Sequence, residues 1–169
     1  MNGRTTILQI CLAILTMTGL SLGAAWGQSS SQAKSSTLSE KDKTFMHKAA
    51  KGGTMEVAMG RMAEQNAQSE DVKSFGKRMV TDHAKANEEL KSIAAQKNVQ
   101  LPSKEPTEKW TSDKAYMNMM LTDHQKDLAE FKEEANSGSD PDVKKFADDT
   151  AKIIQEHLDL AKQTQSKLK

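Results

Sequence analysis

From residue 39 to the C-terminus, apolar side chains return every three or four positions in four successive blocks. That spacing is one face of an α-helix, and no stretch shows the alternation of a half-buried strand. Four apolar stripes must be buried against one another. The compact solution is an all-α fold, an antiparallel four-helix bundle.

Local signals set the expected boundaries. Ser39 reads as an N-cap, with Glu40 and Asp42 in the first turn of a helix that runs to about Ala67. Two stripes compete on it: Phe45, Ala49, Gly52, Glu56, Met59 and Ala63 against Met46, Ala50, Gly53, Val57 and Gly60. Gly52-Gly53 signals a kink or a surface where a neighbour packs closely. Ser69-Glu70-Asp71 opens a second helix carrying Val72, Phe75, Met79, His83, Ala86, Leu90 and Ile93. A third begins near Ser112 and carries Met117, Leu121, His124, Leu128, Phe131 and Ala135, until Gly138 stops it. Asp140-Pro141 then opens a fourth, with Val143, Phe146, Thr150, Ile153, His157, Leu160 and Thr164. The connection at 99–107 is the longest, yet its few residues restrict a crossover.

The bundle domain is thus 39–169. Ahead of it, residues 1–27 read as an export signal. Arg4 precedes an apolar run from Ile7 to Leu22, and Ala25-Trp26-Gly27 presents small residues for cleavage. The run is short and interrupted for a membrane span, which needs about 20 residues. Residues 28–38, rich in Ser and Gln, read as a disordered tether. The expected location is periplasmic or secreted.

Cys11, the single cysteine, falls inside the leader, so the mature chain has no disulfide, thiolate nucleophile or cysteine-bound zinc. Removing Arg4 balances the remaining charge, which argues against a nucleic-acid partner. Methionines are numerous, with Met55, Met59 and Met62 in a row; thioethers bind Cu(I), but methionine also fills irregular cores, and that is the reading adopted. Tyr116 reads as a core residue with its hydroxyl at the rim, and His47 as a solvated surface residue.

Three of the four histidines directly follow an acid: Asp82-His83, Asp123-His124 and Glu156-His157. Each histidine falls on its helix's apolar stripe. Adjacent helical residues point about 100° apart, so the acid lies at the flank, within reach of a histidine on the next helix. Metal-bound imidazoles usually donate their second N–H to such a carboxylate. The first helix offers Glu56. The candidate metal ligands are Glu56, His83, His124 and His157, with Asp82, Asp123, Asp127 and Glu156 as supporting acids. This oxygen and nitrogen set suits iron, zinc, manganese or copper. The competing reading is a core network of satisfied histidines.

Phe45-Met46-His47-Lys48-Ala49-Ala50-Lys51-Gly52-Gly53-Thr54-Met55-Glu56-Val57, followed by Val72 to His83, resembles the bacterial exported family called domain of unknown function 4142. Asp113-Lys114-Ala115-Tyr116 with Asp123-His124, and Glu156-His157-Leu158-Asp159-Leu160-Ala161, are similar to its later signatures. The resemblance implies a ferritin-like bundle in the periplasm or on the outer envelope; it does not imply an activity. Ferritin-like di-iron proteins carry Glu-x-x-His pairs. Here Val80, Leu121 and Ile154 stand three before the histidines, which argues against a carboxylate-bridged di-iron centre. The chain also has a shorter approach at Trp110 to Asp113 than the family tends to show, and Ile153-Ile154 near an expected proline.

Three functions are therefore weighed. One is an exported module that binds a transition metal. The second is a non-catalytic structural or interaction protein of the envelope, linked to stress, with a buried His/Asp network. The third, an enzyme, has least support, because no activated nucleophile is visible. No protein partner is indicated.

Overall fold

The structure is a computed structural model that describes residues 38–103 and 107–168. The expected leader, and the tether up to residue 37, lie outside the described residues. Four helices follow in order: α1 Glu40–Asn66, α2 Glu70–Gln96, α3 Asp113–Ser137 and α4 Pro141–Ser166. No described helix is long and apolar enough to cross a membrane.

The caps explain the boundaries. Ser39 and Asp42 form a capping box, each side chain taking the other's backbone N–H. Ser69 makes no side-chain cap at α2. Instead Asp113, at the start of α3, accepts from the Gln68 and Ser69 amides at 3.1 and 2.7 Å. Asp140 caps α4 through the Asp142 and Val143 amides and also holds Lys97 at 2.7 Å. Asp140→Ala uncaps the buried Val143 amide and the more open Asp142 amide, and leaves Lys97 with Asp142 alone, at 2.7 Å. Urea unfolding is expected to show a loss of about 1–2 kcal/mol.

α1 pairs with α2 and α3 with α4; α2 packs on α4, and α1 on α3. The N-terminus of α1 meets the C-terminus of α3, where Asp42 accepts from the Ser139 amide at 2.9 Å. Asp71 on α2 pairs with Lys167 after α4 at 3.1 Å. Every packed pair is therefore antiparallel, while α2 and α3 run parallel across the diagonal. Residues 97–112 must then travel the length of the bundle. Val99 and Leu101 pack on the core at one end, and Trp110 on the core at the other. The crossover that seemed restricted is thus present: a chain of about 16 residues can reach roughly 50 Å, against about 40 Å for a 27-residue helix.

Both stripes of α1 are used: Phe45, Met46, Ala49, Ala50, Gly53, Glu56, Met59, Gly60 and Ala63 are buried, whereas Gly52 and Val57 are half-exposed. α1 is unbroken at Gly52-Gly53, and close packing accounts for Gly53, where a Cβ would collide with the Asn87 side chain. The tightest approach lies further on. A Cβ on Gly60 would stand 2.7 Å from the Gly76 carbonyl, and one on Gly76 would stand 2.7 Å from the Gly60 carbonyl. Only glycine lets these two backbones touch. On α4 the expected Val143, Phe146, Thr150, His157 and Thr164 are buried, but Ile154 and Ala161 take the buried places expected for Ile153 and Leu160, which are half-buried.

The apolar core falls into two clusters. One gathers Phe45, Met46, Leu90, Phe131, Phe146 and Ile154; the other gathers Met59, Phe75, Met79, Tyr116, Met117 and Met120. Leu38, the last residue of the expected tether, is buried in the first. Along each helix, one polar residue falls between the clusters: Glu56, His83, His124 and His157.

Candidate metal centre

That polar layer is sealed, with Glu56 2%, His83 5%, and His124 and His157 0% exposed. One ligand nitrogen from each of the three imidazoles lies within 4.8 Å of the others. Rings sit 5.1 to 5.7 Å apart between centroids.

Partners fix the tautomers. His157 Nε2 lies 2.8 Å from Asp82 Oδ2, and a carboxylate can only accept, so this nitrogen carries hydrogen. His124 Nδ1 lies 2.9 Å from the Met120 carbonyl, so it too donates. His83 Nδ1 donates to Glu56 Oε2 at 2.9 Å. The remaining nitrogens are His83 Nε2, which has no partner, and His124 Nε2 and His157 Nδ1, which face each other at 3.4 Å.

Burial holds His157 down to about 4, against the pull of Asp82 and with help from the charges of His83 and His124. His124 is lowered mainly by burial, with Glu56 opposing. Both rings are neutral near pH 7. Two lone pairs then point at one another, with no hydrogen left to join them. Burial opposes charge on His83 and on Glu56 as well, but there the pairing wins: His83 is raised by the Glu56 carboxylate, and Glu56 is lowered by His83 and then His124. Those two form a buried ion pair.

Other expected residues take different places. Asp82 supports His157 and is itself held by Arg78, which also donates to Glu156 at 2.9 Å. Glu156 is thus turned outward, two-thirds exposed, and touches no imidazole. Asp123 and Asp127 are half-buried and line a cavity that reaches Glu56 and His83. Glu56 faces the Nδ1 sides of His83 and His124, with Oε1 unpartnered and 3.4 Å from His124 Nδ1. His47 is exposed, as expected. The Tyr116 hydroxyl, expected at the rim, is buried without a partner, because Trp110 from the crossover covers that end at 5.4 Å between rings. Burial, then the charges of Glu56 and Glu64, raise its pKa.

Sequence reasoning missed a second pair of buried carboxylates, Asp42 and Glu134. The sequence reading takes Asp42 only as a first-turn acid, although its place three residues after Ser39 is a capping-box spacing; nothing local marks Glu134 as buried.

The geometry defines a four-helix bundle with one polar layer of carboxylate and imidazole at mid-height. A family model for a domain of unknown function (DUF4142) matches residues 27–164, and the chain belongs to that family. Solved structures share the fold. A DUF305 fragment from Deinococcus radiodurans superposes with a TM-score of 0.66 at 10% identity, covering 78% of this chain and 99% of that one. CopM in a silver-bound form gives 0.61 at 17% identity, covering 72% and 93%. A two-domain protein from Anabaena variabilis, with DJ-1/ThiJ/PfpI-like and ferritin-like domains, gives 0.60 at 14% identity, covering 76% of this chain and 38% of that one. A search of curated proteins returns no significant match.

Proposed function

We propose that this chain is an exported binding module that holds one transition-metal ion on His83, His124 and His157. The observation that carries this reading is the pair of opposed lone pairs on His124 Nε2 and His157 Nδ1, 3.4 Å apart, in a layer where one nitrogen of His83 also comes within 4.8 Å. Two buried acceptors facing each other repel, and a cation between them removes the conflict. On each of the three rings one nitrogen is tied to an acceptor, the support that metal-bound histidines ordinarily have. In this reading Glu56, expected as a ligand, orients His83 from behind the ring. Asp82 and the Met120 carbonyl do the same for His157 and His124.

Two bonds of about 2.1 Å span at most about 4.2 Å, so a limit of 4.8 Å asks for a small inward rotation of the rings. Imidazole donors suit zinc, copper, iron or nickel. CopM, a distant likeness with the same fold, is known in a silver-bound form, which makes silver a useful probe for a soft monovalent ion.

The test uses tag-free protein stripped with chelator. Dialysed against Zn²⁺, Cu²⁺ or Ag⁺, wild type is expected to retain one equivalent of at least one ion. A thousandfold excess over Kd should add about 4 kcal/mol of stability. The H83A/H157A double variant should bind at least about 100-fold more weakly. Should none of the three ions bind, and chelator leave Tm unchanged, the metal reading fails. The Glu56–His83 ion pair then stands as part of a structural polar network.

A further inference from the structure

His124 Nε2 and His157 Nδ1 face each other at 3.4 Å, and both rings are fully buried. Two nitrogen donors set opposite one another offer an ion a straight line, nitrogen to metal to nitrogen. Coordination geometry discriminates between metals. Monovalent ions with a filled d shell, Cu⁺ and Ag⁺, are satisfied by two nitrogens in line or by three around them. Zn²⁺ takes four donors at the corners of a tetrahedron.

A fourth donor is not at hand. The group of donors within 4.8 Å of one another holds the three imidazoles and no carboxylate. Glu56 stands on the Nδ1 side of His83 and His124, and Asp82 is bound to the far nitrogen of His157. The cavity beside Glu56 and His83 is lined by neither His124 nor His157, so it brings no water between those two rings.

Charge points the same way. Glu56 is matched by His83, and Asp82 by Arg78. The layer has no negative charge to spare, so an ion's charge is buried without compensation. That cost grows with the square of the charge, and a monovalent ion carries about a quarter of the cost of a divalent one. The surroundings are soft as well. Met79 and Met120, both fully buried, stand one turn before His83 and His124 on the same helix faces.

We propose that the imidazole layer selects a soft monovalent ion, Cu⁺ or Ag⁺, over Zn²⁺, and holds it in line between His124 Nε2 and His157 Nδ1 with His83 as the third neighbour. The inference rests on the reading of these histidines as ligands and adds the class of ion. The opposed pair opens by about 0.6 Å to take two bonds of about 2 Å.

Tag-free protein stripped with chelator is titrated anaerobically with Ag⁺, Cu⁺ and Zn²⁺, each against a competing chelator of known affinity. Ag⁺ and Cu⁺ are expected to bind as one equivalent, more than about tenfold more tightly than Zn²⁺. X-ray absorption of the Cu⁺-loaded protein should give two or three nitrogen neighbours and no sulfur. In protein labelled with ¹⁵N-histidine, Ag⁺ should move the His124 Nε2 and His157 Nδ1 resonances. The His124 Nδ1 and His157 Nε2 protons, held by Met120 and Asp82, should persist. H124A/H157A should bind Ag⁺ at least about 100-fold more weakly. If that variant does not fold, the wild-type spectra decide. Zn²⁺ affinity within about tenfold of that for Ag⁺ would overturn the selectivity and leave the imidazole site standing. Sulfur around Cu⁺, or Ag⁺ binding that moves neither nitrogen, would put the monovalent ion on methionine and overturn it as well. No ion on wild type would remove the imidazole site and its selectivity together.

Discussion

Glu56→Leu is expected to cost the metal-free protein about 3–5 kcal/mol at pH 7, the usual penalty for removing one partner of a buried ion pair. His83 would lose the carboxylate 2.9 Å from Nδ1. The ring can discard its extra proton, but its Nδ1–H stays buried with no acceptor, and leucine fills the gap without meeting it. Glu56→Gln keeps an acceptor oxygen at the same place and should cost only about 1–2 kcal/mol. Urea unfolding in chelator, with both variants side by side, measures the difference. A leucine variant within about 1 kcal/mol of wild type would mean that the pair does not hold this layer together.

The second buried carboxylate should respond in the opposite direction. Glu134→Gln is expected to stabilise the protein by about 2 kcal/mol at pH 8 and to change little at pH 4.5. Glu134 is buried, and burial, then a hydrogen bond and the charge of Asp42, push it up to about 7 from an ordinary 4.5. Asp42 has the backbone amides of Ser39 and Ser139 to keep it charged, so the proton stays on Glu134. A raised carboxyl contributes stability fully below its unfolded pKa and loses that contribution as pH rises through its folded pKa. The window is therefore about 4.5 to 7, worth roughly 3 kcal/mol at 1.36 per unit, cut to about 2 by screening at the bundle end. Glutamine donates an N–H to Asp42 at any pH, so the variant lacks this slope. Unfolding curves at pH 4.5, 6 and 8 check it. Parallel pH profiles for wild type and variant would refute the protonated pair.

The two predictions differ because of company, not depth. Glu56 and Glu134 are both 2% exposed. One faces imidazoles that favour its negative charge, and the other faces an aspartate of the same sign that disfavours it. A lone carboxylate on an apolar stripe, read from the chain, says nothing about which neighbour it will meet.

Much of the architecture was readable along the chain. The N-cap at Ser39, the Asp140-Pro141 start and the apolar period mark helix positions through contacts made within a few residues. The same short-range logic put His83, His124 and His157 on inward faces, because 3.6-residue geometry relates each to its own stripe. It also erred where a stripe was broad: on α4 Ile154 rather than Ile153 is buried, because two adjacent apolar residues about 100° apart leave the choice between them open.

Which helices would touch was not readable. Periodicity describes one helix at a time, and the diagonal crossover through residues 97–112 depends on which pairs bury most together. The contact of Gly60 with Gly76 sets the distance of α1 from α2, and such long-range packing decides rotation and height. Those two quantities bring three ring nitrogens within 4.8 Å, turn Glu156 out to Arg78, and place Glu56 behind the rings. Local sequence determined that this protein is four helices carrying inward histidines. Only the tertiary structure decided that the imidazoles converge with lone pairs opposed, because that arrangement depends on the relative rotation and shift of separate helices.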